Sequence, residues 1–137
     1  MIIYPKKFAE AKAAGFDGIF DWDFLLPAFA GTKIMPMDID AIVERKGRFL
    51  IIETKESGKS IPQGQEITLK SLLNLGKGAV LVLILYGKTV NSIRAADIWS
   101  YKNGNILQSG LLSCNADDML FYVGKWFRWA DKRLPIY

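Results

Sequence analysis

The fold is decided by one stretch, Asp38–Lys55, which reads DIDAIVERKGRFLIIETK. Two runs rich in β-branched and aromatic residues flank a short polar turn that contains Gly47, and this pattern predicts a β-hairpin. The first strand is expected within Asp38–Glu44 and the second within Phe49–Lys55. Working outward from this hairpin, the rest of the chain predicts what packs against it.

Downstream of the hairpin, the sequence predicts a crossover helix and a central strand. Ser60 suits the N-cap and Pro62 the first helical turn, so we expect a helix that runs to about Asn74. The run Ala79–Tyr86 is continuously apolar, which is typical of a strand buried on both faces. A strand, a crossover helix and such a strand form a βαβ unit. The apolar stripe of the helix comprises Leu69, Leu72 and Leu73.

A second hairpin and a last helix follow. The runs Asp97–Tyr101 and Ile106–Gln108 flank an Asn-Gly dipeptide, a strong signal for a tight hairpin turn. Asn115 is expected to cap a helix from Ala116 to about Lys132. On this helix Leu120, Val123 and Phe127 fit a buried stripe with Met119 and Trp126.

The segments before the hairpin carry weaker patterns. Lys6–Ala14 reads as a short helix, Asp17–Phe29 as helix or irregular structure with a break near Pro27, and Gly31–Pro36 as a loop. The element order is then α-(α)-β-β-α-β-β-β-α. We expect one α/β domain over residues 1–137, with a mixed central sheet flanked by helices.

The composition of the 137 residues narrows the possible chemistry. There is no histidine and a single cysteine, Cys114. This excludes nucleophilic sites that depend on a histidine base, and it excludes His- or Cys-rich zinc sites and an internal disulfide. Carboxylates, Lys, Tyr and water remain, and oxygen-rich sites favour Mg²⁺ or Mn²⁺. The net charge of +4 is compatible with a polyanionic partner.

The sequence lacks three patterns that would indicate a membrane span, a signal peptide or an ATP-binding loop, and these absences bear on cellular location and cofactor use. The longest apolar run, Ala79–Tyr86, has eight residues, whereas a membrane-spanning helix needs about 20. The first residues lack the features of a signal peptide. The chain also lacks the Gly-x-x-x-x-Gly-Lys-Ser/Thr pattern of an ATP-binding loop. We expect a cytoplasmic protein without a membrane or nucleotide partner.

Charged side chains converge at one end of the predicted hairpin. Asp38 and Asp40 share one face of the first strand, and Glu53 and Lys55 share one face of the second. Asp40 and Glu53 lie at similar distances from the turn, so we expect them close together. Carboxylates gathered in this way repel each other unless a divalent cation joins them. Lys55 would position or deprotonate a water and offset charge in the transition state.

The predicted metal ligands are Asp40 and Glu53, with Asp38 nearby. The backbone carbonyl of Thr54 completes this set, because the residue between Glu53 and Lys55 turns its backbone toward the same edge. Such a cation binds a phosphate oxygen and makes a bound water more acidic.

These residues resemble the PD-(D/E)XK nuclease superfamily, whose signature is an acidic residue on one core strand and (Asp/Glu)-x-Lys on the next. The resemblance covers roughly Pro36–Tyr86 and implies a restriction-endonuclease-like αβββαβ core with a Mg²⁺- or Mn²⁺-dependent DNA nuclease activity. The pair Ile39-Asp40 resembles a branch in which Ile-Asp opens the strand, which favours Asp40 as the main ligand. Met37 interrupts a literal Pro-Asp pair, so the choice between Asp38 and Asp40 stays open.

The resemblance extends to the crossover helix and to the size of the chain. Several branches, including virus-type replication-repair nucleases and Holliday-junction resolvases, carry a polar residue on this helix. Gln65 shares its face with Leu69 and Leu72, so it is expected to point at the metal edge, whereas Gln63 lies nearly opposite. In some branches a glutamate of the first helix joins the site, and here that residue would be Glu10. The size is like that of a stand-alone phage or archaeal nuclease.

Three further interpretations concern function and assembly. The fold could be a catalytically silent DNA-binding or assembly protein, although the complete acid–acid–lysine set favours an enzyme. Nucleotidyl transfer also uses Asp-x-Asp, but the preceding Gly-Ser turn is missing. A homodimer is predicted, because two sites address both strands of a duplex and because Phe121, Tyr122 and Trp129 exceed what one helix stripe can bury. Core packing and nucleic-acid binding are the other roles open to these aromatic residues.

Overall fold

A computed structural model of the chain describes residues 22–137. The chain divides into two units, Met1–Asp38 and Ile39–Tyr137. The predicted helix Lys6–Ala14 and the candidate Glu10 lie outside the described residues, as does the beginning of Asp17–Phe29. Every element of the predicted βαβ unit lies in the second unit.

The described part of the first unit is built around a short helix. A 3-10 helix spans Asp23–Phe29 and includes Pro27, and it ends at Ala30 in the left-handed conformation. The rings of Trp22 and Phe24 stack with their centroids 6.4 Å apart. The following residues to Asp38 have no regular structure, which confirms the predicted loop at 31–36.

The predicted hairpin is present. Strand β1 spans Ala41–Arg45 and pairs antiparallel with β2, Arg48–Lys55. Lys46 and Gly47 adopt φ angles of 52° and 83°, the two positive values that a type I′ turn requires. The first strand begins at Ala41 rather than Asp38, because the Thr54 N–H that would continue the pairing is bound by the Asp40 side chain instead.

The crossover unit is also confirmed. Helix α1 spans Gln63–Gly76, and β3, Val80–Tyr86, runs parallel to β2. The four central residues of β3 are buried, as expected of a strand covered on both faces. Ser60 as N-cap was wrong: Pro62 occupies that position and provides no side-chain hydrogen bond.

The second hairpin and the last helix complete the sheet. Strands β4, Ala95–Lys102, and β5, Asn105–Gln108, are antiparallel neighbours, while the short β6, Leu112–Ser113, pairs with β4. Helix α2 spans Ala116–Asp131 and is capped by Asn115. The strand order is β1-β2-β3-β4-β5, and only the β2–β3 pair is parallel. The fold is therefore α/β with a mixed sheet, although two strands rather than three precede α1 within residues 22–137.

The two helices cover opposite faces of the sheet. Leu50 and Leu83 pack with Met119, Trp126 and Ala130 of α2 in one buried cluster. Side chains of a strand alternate between the two faces of the sheet, so the residues next to Leu50 in β2 and next to Leu83 in β3 face the other side. Buried leucines of α1 cover that side. Glu53 lies on the α1 face, and this places its carboxylate under that helix.

The buried stripe of α2 differs from the prediction. Leu120 is 75% exposed and Phe127 is 45% exposed, whereas Met119, Trp126 and Ala130 are buried. The side of the helix that carries Met119, Trp126 and Ala130 therefore faces the sheet. None of the helices within residues 22–137 is long and apolar enough to cross a membrane.

Candidate active site

The candidate site lies at the edge where the parallel strands β2 and β3 both end. The register aligns Glu53 with Ile84 and Lys55 with Tyr86. Strand β1 starts opposite Ile52, so it does not cover this last part of β2. The β1–β2 pairing therefore ends before Glu53, and the last part of β2 has no β1 partner.

The Glu53 side chain is 2% exposed, and it is the one charged residue among those buried in the described part of the chain. Its Oε1 accepts a hydrogen bond from the Asp40 backbone N–H at 3.2 Å. Its Oε2 accepts one from Gln65 Nε2 at 2.8 Å. Both oxygens are thus oriented, one by the residue before β1 and the other by the first turn of α1.

Asp40 is held by the next residue of β2. Its Oδ2 accepts hydrogen bonds from the Thr54 backbone N–H at 2.8 Å and from the Thr54 hydroxyl at 2.9 Å. The N–H and C=O of one strand residue point to the same side, so the Thr54 carbonyl also faces the Asp40 edge. The predicted proximity of Asp40 and Glu53 is therefore found, and both are fixed by hydrogen bonds.

The two carboxylates differ in acidity. Burial raises the pKa of Glu53, and the negative charge of Asp40 raises it further, against the opposing effects of the Asp40 N–H and the Lys55 ammonium. Burial also acts to raise the pKa of Asp40, but the hydrogen bonds from Thr54 outweigh it, so that this pKa is lowered. Asp40 is therefore the firmly ionised member of the pair, and Glu53 is the one that holds a proton more readily.

Lys55 shares the strand face of Glu53 and is partly exposed. Its ammonium makes no hydrogen bond or ion pair with any residue from 22 to 137, although its charge is close enough to lower the pKa of Glu53. It is therefore available to a ligand at this edge. Asp38 is exposed and ends the first unit, and its share in the site stays a prediction.

Oxygen donors suit a hard divalent cation at this site. Within residues 22–137 no group of three or more His, Cys, Asp or Glu side chains gathers around one point. Mg²⁺, however, is commonly held by one or two carboxylates together with waters and phosphate oxygens. The buried Oε1 of Gln65 has no hydrogen-bond donor, which leaves one more oxygen unsatisfied beside Glu53. Asp40, Glu53, Gln65 and the Thr54 carbonyl would thus fit a Mg²⁺ or Mn²⁺ ion.

Two side chains at this edge were missed from the sequence. The Thr54 hydroxyl binds Asp40, whereas only the Thr54 carbonyl was predicted to matter. Tyr86 lies beside Lys55 in the β2–β3 register, and burial together with the charge of Asp97 raises its pKa. The βαβ prediction contained the signal for Tyr86, because parallel strands end at the same edge.

No protein-family model, no curated protein and no solved structure matches the chain. The resemblance to PD-(D/E)XK nucleases therefore rests on the quoted residues alone and stays a prediction.

Proposed function

We propose that this protein is a Mg²⁺-dependent nuclease that hydrolyses phosphodiester bonds in DNA. One observation carries the proposal: the buried Glu53 carboxylate accepts a hydrogen bond from the Asp40 backbone N–H near the end of β2, and Lys55, which has no ion pair with residues 22–137, lies on the same face. This is the juxtaposition that acid–acid–lysine nuclease chemistry requires.

A purely structural role for this arrangement is poorly supported. A buried carboxylate lowers stability unless its charge is compensated, and the like charge of Asp40 affects the pKa of Glu53 more than the opposite charge of Lys55 does. Such unfavourable placement is typical of residues that serve a reaction rather than the fold. When bound, a divalent cation supplies this compensation, polarises a phosphate oxygen and makes a nearby water more acidic.

Each residue of the site has a distinct role in the proposed hydrolysis. Gln65 fixes the orientation of Glu53, and Thr54 fixes that of Asp40, so the carboxylates are positioned before substrate arrives. Lys55 orients the attacking water or offsets the negative charge that develops on the phosphoryl oxygens. The water oxygen bonds to phosphorus while the bond from phosphorus to the 3′ oxygen breaks.

Charge at the same edge supports DNA as the substrate. Lys59 lies in the loop after β2, whereas the charge of Lys88, which follows β3, is offset by its ion pair with Glu56 at 2.9 Å. The Arg94 backbone N–H binds the Tyr86 carbonyl, which brings a further cation to this edge. Cations around a cleavage site neutralise the phosphates that flank the scissile bond.

We also propose that the protein acts as a homodimer. Leu120, Phe121 and Phe127 of α2 are 75%, 60% and 45% exposed, an apolar surface of the kind found at subunit interfaces. The sequence-based choice of rings was partly wrong, because Tyr122 and Trp129 pack against the core cluster and only Phe121 projects outward. Two copies would place two sites against the two strands of a duplex.

A catalytically silent protein is the second candidate. Both Glu53 oxygens already accept hydrogen bonds in the folded chain, which would satisfy the carboxylate without any ion. This candidate predicts DNA binding that is unchanged by metal and no product under any condition.

Incubation with linear, circular, single-stranded and branched DNA separates the two candidates. We expect cleavage of at least one substrate with Mg²⁺ or Mn²⁺ and none with EDTA. The variant Glu53→Gln serves as the inactive control, and Glu56→Gln, three residues further on and exposed, as the matched active control. Absence of product from every substrate with both metals would contradict the nuclease proposal.

A further inference from the structure

A cavity lies on the face of the sheet that α2 covers. It has a volume of about 400 Å³ and opens between α2 and the strands β3 and β4. Gly78 and Val80 form one wall, at the beginning of β3, whereas Glu53 aligns with Ile84 near the end of that strand. The cavity is therefore separate from the candidate active site, on the opposite face and at the opposite end of the strand.

Aromatic rings dominate the lining of this cavity, which we call the aromatic cleft. Tyr101 of β4 and Tyr122, Trp126 and Trp129 of α2 contribute, with aliphatic side chains of β3 between them. Trp126 belongs to the buried core, while Tyr122 and Trp129 are only partly buried. The volume is in the range that holds a small organic group.

The charge of the aromatic cleft selects for an anion. Among residues 22–137, Lys125 is the single charged residue in the lining, and no acidic side chain contributes. Lys125 is exposed and has no ion pair with residues 22–137. The Arg133 guanidinium lies over one face of the Trp129 ring, 4.3 Å from its centroid, which adds a second positive charge and leaves the other face of that ring for a ligand to approach.

We propose that the aromatic cleft binds an unpaired nucleobase of single-stranded DNA. The base would stack on Trp129 and Tyr122, and the adjoining phosphate would lie against Lys125. Aromatic rings interleaved with cations are the arrangement by which proteins hold single strands, because every base has a face that can stack. The proposal rests on the proposed function in taking DNA as the polyanion.

The location of the aromatic cleft indicates what its contact with DNA would do. A strand held there lies outside the active site, so the contact would anchor unpaired DNA at a distance from the bond that is cleaved. A base within a duplex is stacked on both sides and cannot enter without leaving its partner. The cleft would therefore favour substrates that contain an unpaired segment.

The test compares two labelled oligonucleotides of equal length, an oligothymidine and an abasic strand with the same phosphates. Fluorescence anisotropy in EDTA measures binding without cleavage. We expect the base-bearing strand to bind about tenfold to a hundredfold more tightly than the abasic one. Equal binding of the two strands, or failure of both to bind, would overturn the proposal.

Variants assign this preference to the cleft. Trp129→Leu is expected to abolish the preference for bases, whereas Phe49→Leu, a partly exposed aromatic residue of β2 on the other face of the sheet, should retain it. Lys125→Gln is expected to weaken the binding of both strands to the same extent. Lys132→Gln makes the same charge change outside the cleft and should leave the binding of both strands unchanged. Because Lys125 is exposed, this variant tests the site even if Trp129→Leu folds poorly. Retention of full binding by Lys125→Gln would contradict the phosphate contact.

Failure of this proposal can be distinguished from failure of the proposed function. Cleavage with Mg²⁺ by a wild-type protein that shows no base preference would overturn the proposal for the aromatic cleft and leave the proposed function standing. A base preference in EDTA without cleavage under any condition would instead contradict the nuclease proposal and support base binding by the aromatic cleft.

Discussion

At the scale of single residues, Glu53 couples the chemistry of the site to the stability of the chain. Its pKa in the folded protein is raised above the ordinary value of 4.5, chiefly by burial. Between these two values the folded state holds a proton that the unfolded chain has released. The stability of the metal-free protein therefore falls as the pH rises from 4.5 through the higher folded-state value.

Glu53→Gln removes this unfavourable charge and keeps the shape of the side chain. We expect a higher Tm than wild type at neutral pH in EDTA, with the difference shrinking toward pH of about 4, where both proteins are neutral at this position. The same variant should have lost DNA cleavage. Thermal unfolding across pH measures the first effect, and a variant less stable than wild type at neutral pH would show that the carboxylate serves the fold.

Lys55→Ala is expected to leave the fold intact, because this ammonium has no partner among residues 22–137. Cleavage should fall by roughly two to three orders of magnitude, since the lysine acts on the charge of the transition state. Lys102→Ala, an exposed lysine at the other end of the sheet, is the control. Asp40→Asn should lose activity and also weaken metal binding, as measured by calorimetry with Mn²⁺. Normal cleavage by a well-folded Lys55→Ala protein would refute the mechanism.

At the scale of elements, the β1–β2 hairpin is fixed at both ends. At the site end Asp40 binds Thr54, and at the turn end the Ile136 backbone N–H donates to the Lys46 carbonyl. Arg45 of β1 also binds Asp131 of α2 through a short ion pair. The turn is thereby clamped by the C-terminal segment, which steadies the strand that delivers Glu53.

Gly47 tests this clamp against a matched turn. Gly47 and Gly104 have nearly equal φ angles, 83° and 81°, but only a Cβ at Gly47 would meet Ile136, at 2.7 Å from its Cβ. Gly104→Ala should lower the free energy of unfolding by about 1–2 kcal/mol, and Gly47→Ala by more. Urea unfolding checks the order, and Ile136→Gly combined with Gly47→Ala should remove the excess. Equal losses in the two single variants would contradict the clamp.

The elements could be predicted from the sequence where local signals agreed. A few neighbouring residues are enough to predict three of these features: the Lys46-Gly47 turn, the Asn-Gly turn and the apolar strand β3. The convergence of Asp40 and Glu53 followed from hairpin spacing alone. The helix start after Ser60 could not be predicted in this way, because tertiary contacts of α1, among them Gln65 on Glu53, decide where its first turn begins.

At the scale of the whole molecule, the surface of α2 remains to be covered. The sequence could not show which side of this helix faces inward, because apolar residues surround nearly its whole circumference. Packing over β3 selects Trp126 and Ala130, and this leaves Leu120 and Phe121 outside. The aromatic cleft also depends on side chains of β3 and β4, although nucleic-acid binding was one of the roles left open for the aromatic residues of this helix.

Phe121→Glu tests whether this surface forms the dimer. We expect wild-type protein to have twice the mass of the 15.4 kDa chain at micromolar concentration, and the variant to be monomeric, because an interface cannot bury an unpaired carboxylate. Lys132→Glu, further along the same helix, is the control for added negative charge. Light scattering over a concentration series decides the matter, and a wild-type monomer with full cleavage activity would show that the dimer is not needed.

The central claim is that Asp40 and Glu53 hold a divalent cation, and a Mn²⁺-soaked crystal tests it most directly. The anomalous scattering of manganese locates the ion independently of any assumption about activity. We predict one strong peak within coordination distance of carboxylate oxygens of Asp40 and Glu53 and of the Thr54 carbonyl, absent from a crystal of Glu53→Gln soaked in the same way. No peak at millimolar Mn²⁺, or a peak elsewhere on the protein, would contradict the claim.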